Sequence, residues 1–418
     1  MRATMILGLA LTCGLAAPLA AGDWLQWGGP RGDFTVESTP LAESWPEDGP
    51  PLLWKRPLGD GYSAILAEKG RLYTMYRDGD EEAIVSLDAK TGSTIWEHRY
   101  QRVLWSDQTA FRQSFSKGPN ATPLIMGQRI VAIGVAGQMR CLDKATGKLV
   151  WQRNLPQEFG RQKRDEEYGY SASPLPYRDF MIVQVGGDEH GVIGITPEDG
   201  SIVWKSEPTT ISYAQARLLR LRGRDQYVYF STAGVHGLDP ATGRMLWFKE
   251  LPYNNGNHLT PVVRGDDEHL YVSSQFGSGG GRLLKLSGES GKYQADQLWF
   301  TPKLRGSCWT LIRRGDYIYG SAGGHNVSFL AAFNWRTGEI AWRKRGFHMA
   351  QSLFADGKLI FLDQQGKLTI ARVSPDDLEV LGSHSITESV SWTLPTLVDG
   401  KLYVRDRKQI LALDLVLK

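Results

Sequence analysis

The chain has 418 residues, 41% of them apolar, with 47 Gly, 20 Pro and 14 Trp, which is enough for a large core and too apolar for a disordered chain. Its 48 Lys and Arg against 45 Asp and Glu leave a net charge of +3, so it carries no electrostatic footprint for nucleic acid and no polybasic membrane patch. The 3 Cys exclude a disulfide scaffold and a cysteine-rich zinc cluster, and no Cys-x-x-Cys-His is present to attach a c-type haem.

The first residues read as a targeting segment. Arg2 supplies the positive start, Met5–Ala17 a short apolar stretch, and Ala20-Ala21-Gly22 the small residues of a cleavage zone. The apolar run is too short to span a bilayer, and no other segment could cross one. Residues 1–22 are therefore expected to be a signal peptide, with the mature chain starting near Gly22 or Asp23 in the periplasm or outside the cell. Cys13 raises lipoprotein processing, but Ala10-Leu11-Thr12 before it makes a poor lipobox.

A repeat then runs through the chain. Asp-x-x-Thr-Gly followed by Trp four residues after the Gly reads Asp88…Gly92…Trp96, Asp143…Gly147…Trp151 and Asp239…Gly243…Trp247. Looser copies are Thr196…Gly200…Trp204 and Asn334…Gly338…Trp342. Ser287…Gly291 carries an insertion before Trp299, and Ser374…Leu381 lacks both Gly and Trp. The Asp side chain can accept hydrogen bonds from turn amides ahead of it, and the Gly can take the left-handed position of a tight hairpin. The Trp falls on the returning strand, where its face can dock against a neighbouring sheet. Before each hairpin stand two alternating strands, such as Arg71–Tyr76 then Ala83–Leu87, and Lys358–Leu362 then Lys367–Ala371, with one further short strand ahead of them. Four strands per unit of about forty to fifty residues is the pattern of a propeller blade.

Seven complete units can be counted, and the chain ends on three more strands, Trp392–Thr396, Lys401–Arg405 and Ile410–Asp414. The lone strand Pro51–Pro57 supplies the missing fourth. This predicts an all-β fold: a single eight-bladed β-propeller of four-stranded antiparallel blades over 51–418, its ring closed by the N-terminal outer strand pairing with the C-terminal blade. Residues 23–50 are expected to wrap as an irregular N-terminal arm. Trp54, Trp96, Trp151, Trp204, Trp247, Trp299 and Trp342 are the expected docking residues.

The Asp-x-x-Thr-Gly-x-x-x-Trp units resemble the pyrroloquinoline-quinone-like propeller repeat, with its tryptophan docking motif, over residues 51–414. Asp23-Trp24-Leu25-Gln26-Trp27-Gly28-Gly29-Pro30-Arg31, Gly118–Pro123 and Gly169–Pro174 are similar to stretches of a bacterial exported subgroup of the outer-membrane protein assembly factor type. The repeat implies the fold, while the same blades serve quinone-dependent dehydrogenases and assembly lipoproteins. The dehydrogenases carry a disulfide between adjacent cysteines and a Glu/Asn/Asp calcium set. Here Cys141 and Cys308 fall on blades 2 and 6 and cannot bridge, and no spacing supplies the calcium set.

Strand parity puts the blade-to-blade connections and the second-to-third-strand loops on one face, opposite the Thr-Gly hairpins. That face bears the long inserts Arg99–Lys117 and Asn154–Gly169, so a binding site is expected there. To within one residue of register, the starts of the inner strands should rim the channel with Tyr62, Asn120, Tyr170, Tyr213, His258, Trp309, Gln351 and Trp392, either a stacking platform with hydrogen-bonding edges or simply the packing of the channel mouth. Arg112, Lys117 and Arg305 are possible anion contacts. Trp105, Phe111 and Phe115 interleave the first insert. Asp188-Glu189-His190 are neighbours in sequence that seldom converge on one metal, so no metal site is expected. Arg217, Arg220, Arg222 and Arg224 read as solvated charge at a hairpin.

No nucleophile elbow and no phosphate loop is present, so no catalytic residues are assigned. The reading is an exported, non-catalytic propeller, expected to be monomeric, that binds a protein or a small-molecule ligand on its loop face and needs no cofactor. Two alternatives stand beside it. One is a quinone-dependent oxidoreductase acting on alcohols or sugars, using pyrroloquinoline quinone and calcium at a diverged site. The other is an outer-membrane protein assembly scaffold anchored through Cys13.

Overall fold

A computed structural model describes residues 22–102, 118–160, 169–187, 189–210, 213–251, 262–274, 279–289, 291–306, 310–323 and 328–416. Seven antiparallel sheets follow one another along the chain over 66–101, 124–154, 175–205, 217–250, 262–301, 311–344 and 351–385, numbered here as blades 1 to 7. Blade 8 combines Thr396–Val398, Lys401–Arg405 and Gln409–Asp414 with Leu52–Pro57, whose register sets Trp54 opposite Ala412. The N-terminal strand thus closes an eight-bladed propeller.

The burial patterns follow from this stacking. The second strand of blade 1, Arg71–Asp78, is buried at five consecutive positions because sheets pack against both of its faces. The outer strand Thr94–Gln101 alternates, since only one of its faces meets protein. The core is accordingly divided among the seams. One cluster joins blades 2 and 3 through Leu124, Val131, Met139, Met181 and Ile193. Another joins blades 4 and 5 through Val228, Val235, Leu270 and Leu284.

Each hairpin is built as its residues require. Asp88 Oδ1 accepts from the Lys90 and Thr91 amides at 3.0 and 2.8 Å and from the Thr91 hydroxyl at 2.9 Å. These bonds hold its carboxyl below the usual range. Gly92 follows at φ 72°, a left-handed position that favours glycine. The outer strand then shifts register by one residue immediately before the Trp, as between Leu87–Thr94 and Ser86–Trp96. The same bulge precedes Trp54, Trp151, Trp204, Trp247, Trp299 and Trp342. It bends every exposed edge strand, which hinders pairing with another chain.

The Trp rings connect neighbouring blades. Trp54, Trp96 and Trp151 donate their Nε1–H to the Ala89, Lys144 and Pro197 carbonyls of the next blade, each at 2.9 Å. Trp299 and Trp342 do the same to Arg336 and Ser374 at 2.8 and 2.9 Å. Trp204 lies on Gly243, but its buried Nε1 has no hydrogen-bond partner among the described residues. Trp247 instead donates to Gln226 Oε1 in its own blade at 2.7 Å. The blade 5 hairpin beyond it is lengthened, Gly280–Glu289 and Lys292–Thr301, and its outer strand leans on that of blade 4. In blade 7 the bulge falls at Leu381, so Gly382 occupies the position that the sequence pattern gave to Leu381. The ring of Trp45, from the arm, lies against Gly382.

The arm does more than wrap the outside. Trp24 forms an antiparallel bridge with Ala67 on the inner strand of blade 1, and the Leu25 carbonyl accepts from Ile125 of blade 2 at 2.9 Å. Thr35–Val36 pair in parallel with Phe354–Ala355, adding a fifth strand to the inner edge of blade 7. Phe34 reaches the Arg217 guanidinium of blade 4 at 5.5 Å. Segment 23–36 therefore lies across the channel, with Trp24 and Phe34 fully or nearly fully buried. The Lys69 amide donates to Asp23 and the Leu41 amide to Asp356, both in first-to-second-strand turns, so the arm closes the Thr-Gly end.

Candidate functional site

A belt of side-chain hydrogen bonds links the inner strands just below the loop-bearing rim. The Ala64 amide donates to Thr122 Oγ1 at 3.2 Å, Thr122 to Ser173 Oγ at 2.9 Å, and Ser173 to Gln215 Oε1 at 2.6 Å. These tie blades 1 to 4 in succession. The Ser352 amide donates to Thr310 Oγ1, and Thr396 Oγ1 donates to the Ile65 carbonyl at 2.6 Å across the ring closure. The small hydroxyls before Pro123 and Pro174 were visible in the sequence, but only the stacking of blades gives them partners.

The belt fixes the register of the rim above it. Tyr62, Asn120 and Trp392 are half-buried there. Ser171, rather than Tyr170, holds the equivalent place in blade 3, because Asn120 Nδ2 donates to Ser171 Oγ at 3.2 Å. The Tyr170 ring is buried beneath, with its hydroxyl on the Val185 carbonyl at 3.1 Å. Tyr213 and Gln351 are likewise buried. These three pack the channel mouth, the second of the two roles expected of them. His258, Trp309, Arg112 and Lys117 lie outside the described residues, as do Trp105, Phe111, Phe115, Asp188 and Cys308. Arg305 donates to the Pro302 carbonyl at 3.3 Å, between blades 5 and 6.

An arc over blades 7, 8, 1 and 2 is brought together. The Tyr62 and Trp392 rings pack at 5.2 Å between centroids. Trp392 Nε1 donates to Gln364 at 3.1 Å, and Gln351 Nε2 donates to the Trp392 carbonyl at 3.2 Å. Beside Tyr62, Arg407 binds Asp60 through two 2.7 Å bonds, and Arg77 adds a third at 2.9 Å. Burial alone would raise the Asp60 carboxyl, but the two guanidiniums outweigh it and hold it low. Arg407 also sits 5.9 Å from the Tyr62 ring centre. An aromatic pair edged by amides and by one carboxylate held between two arginines can stack on a flat or apolar group. It offers no nucleophile with an adjacent base.

Two ionisable groups that the sequence did not single out lie at the nearby seams. Glu82 is fully buried and accepts from Tyr100 at 2.8 Å and from the Val135 amide at 3.1 Å. Burial raises its carboxyl despite those bonds and despite Arg102 and Arg140 nearby. Arg405, also fully buried, donates to the carbonyls of Met75 and Gly59 at 2.5 and 2.9 Å. Burial pushes it down to about 10. Each joins neighbouring blades, Glu82 of blade 1 to Val135 of blade 2 and Arg405 of blade 8 to Met75 of blade 1. Of the four arginines expected to be solvated, Arg220, Arg222 and Arg224 pair with Asp225, Glu268 and Asp239. Arg217 differs, since it faces Phe34 inside the channel.

Among the described residues, no three His, Cys, Asp or Glu side chains are placed to hold a metal ion. Cys141 is buried at the seam of blades 2 and 3 with its Sγ on the Pro197 carbonyl at 3.3 Å, and burial pushes its thiol up to about 12. These described residues do not fit a calcium–quinone centre.

A family profile described as "Outer membrane protein assembly factor BamB" matches residues 80–344. The chain is similar to "Outer membrane protein assembly factor BamB" of Shewanella oneidensis, 21% identical over 260 residues, covering 59% of this chain and 62% of that protein. It is similar to "Quinoprotein alcohol dehydrogenase PedH" of Pseudomonas putida, 27% identical over 134 residues, covering 31% of this chain and 20% of that protein. The chain thus spans less than two thirds of either relative. The crystal structure of BamB from Moraxella catarrhalis superposes with a TM-score of 0.58 at 18% identity over 87% of this chain and 99% of that one, a likeness of fold.

Proposed function

The chain belongs to the family described as outer membrane protein assembly factor BamB, and on that premise we propose that it is an exported, non-catalytic propeller whose loop-bearing face holds a protein partner. The observation that carries this is the rim arc: the Tyr62–Trp392 pair is half-buried and edged by amides, and its one carboxylate, Asp60, is already bound by two arginines. Such a surface suits an apolar or aromatic anchor of a partner. In this reading the chain crosses the inner membrane, loses its leader near Gly22 or Asp23, and works in the envelope as a scaffold in outer-membrane protein assembly.

Photo-crosslinkers placed in the living cell at Trp392 and, as a control on the opposite face, at Thr146 test this. Discrete adducts from position 392 and none from 146 are expected. Separately, the purified protein with pyrroloquinoline quinone, Ca²⁺ and a panel of alcohols and sugars should reduce no dye. Turnover there would overturn the non-catalytic reading in favour of a dehydrogenase.

A further inference from the structure

We propose that leader removal before Gly22 creates an α-ammonium that pairs with Asp399 and pins the channel-closing arm. The proposal rests on the reading of the chain as exported. Gly22 has φ 134°, and a Cβ built on it would lie 2.9 Å from Asp399 Oδ1 and 3.4 Å from Oδ2. The carboxylate thus rests against the main chain of residue 22. Asp399 is exposed in the turn between Thr396–Val398 and Lys401–Arg405 of blade 8. It makes no hydrogen bond or ion pair among the described residues. The neighbouring cation, Lys401, is engaged by Asp414 at 3.1 Å.

The other side of the segment is held by blade 1. Asp23 Oδ1 already accepts from the Lys69 amide at 3.2 Å. Trp24 and Ala67 exchange main-chain bonds of 2.7 and 3.0 Å. An intact peptide bond gives residue 22 a neutral N–H. A cut gives it a full positive charge at neutral pH, since an α-amine ordinarily titrates at about 7.7–8.0. That charge would join blade 8 to the arm just where the arm meets blade 1, beside the seam that Leu52–Pro57 closes. Maturation would then tighten the plug, with no new residue supplied by the protein.

The test uses a chain in which a site-specific protease sequence ends directly before Gly22, folded first and cut afterwards. Hydrogen exchange at the Trp24 and Ala67 amides is compared before and after the cut, in the wild type and in Asp399→Asn. Asparagine tolerates the left-handed backbone of position 399, where φ is 48°, so this variant should fold. The cut should slow exchange at both amides roughly twofold to fivefold in the wild type, the range of an exposed ion pair, and leave Asp399→Asn unchanged. No slowing, or equal slowing in both proteins, overturns the latch. The mass of the chain recovered from the cell envelope reports on export separately. Retention of residues 1–21 overturns the export reading, and a mature start other than Gly22 overturns the latch alone.

Discussion

The indole of Trp96 lies on Gly147 of the following blade, so close that a Cβ there would sit 2.6 Å from the ring, while its Nε1 donates to Lys144 at 2.9 Å. One residue pair therefore sets both the spacing and the register of two sheets. Trp96→Ala should cost about 3–5 kcal/mol, as a large buried ring is lost and a cavity remains. Gly147→Ala should cost about 1–3 kcal/mol from the left-handed backbone and the clash together. The double variant should lose less than the sum, because removing the ring makes room for the methyl group. Urea unfolding of the four proteins measures this; strict additivity would show that the ring and the glycine act independently.

Arg405 anchors the last blade to the first through carbonyl groups, with no carboxylate bonded to it among the described residues. Lysine has fewer donors in a different geometry and cannot reach the same set. Arg405→Lys should lower stability by about 2 kcal/mol, the scale of a lost charged hydrogen bond in a buried place. The loss should show first as faster hydrogen exchange at the Lys55 and Arg56 amides of the strand Leu52–Pro57. Unchanged protection there, with destabilisation elsewhere, would contradict a closing role.

The raised carboxyl of Glu82 has a definite consequence for pH. The folded state favours its neutral form, so its contribution is best at acid pH and declines as pH rises from the ordinary glutamate value through the raised one. Asp88 and Asp143 act oppositely. Hydrogen bonds from their hairpin threonines hold both low, so they stabilise above the ordinary aspartate value, and that is lost as pH falls through their depressed values. Glu82→Gln should therefore gain in melting temperature relative to the wild type as pH is raised from 4 to 8. A difference that does not vary with pH would mean that folding leaves the Glu82 carboxyl unshifted, contrary to its raised state.

The arm should matter to the ring as a whole. Trp24 is fully buried at the mouth of the channel, so Trp24→Ala should cost about 3–5 kcal/mol. It should also speed exchange at the Ile125 amide, which bonds the adjacent Leu25 carbonyl. Slow exchange at Ile125 in the folded variant would mean that the arm holds its place without Trp24.

Much of the architecture could be read from the order of residues, because its cause is local. An Asp, a Thr and a Gly in fixed order bend the chain into one hairpin, whatever lies around them. Repeating that hairpin with a Trp at constant spacing leaves a blade few other ways to bury its face, and the unmatched strand that carries Trp54 marks where the ring must close. Tertiary contact decided the rest. Trp45 stands on Gly382, the Trp position that blade 7 leaves empty, although no spacing connects these two residues. Phe34 and Arg217 meet only because the arm turns inward. The rim shifts by one residue to Ser171 because a hydroxyl belt, invisible until blades stack, sets its register. Local hydrogen bonds are written in neighbouring letters, whereas a seam, a plug and a rim depend on which distant surfaces are pressed together when the core excludes water.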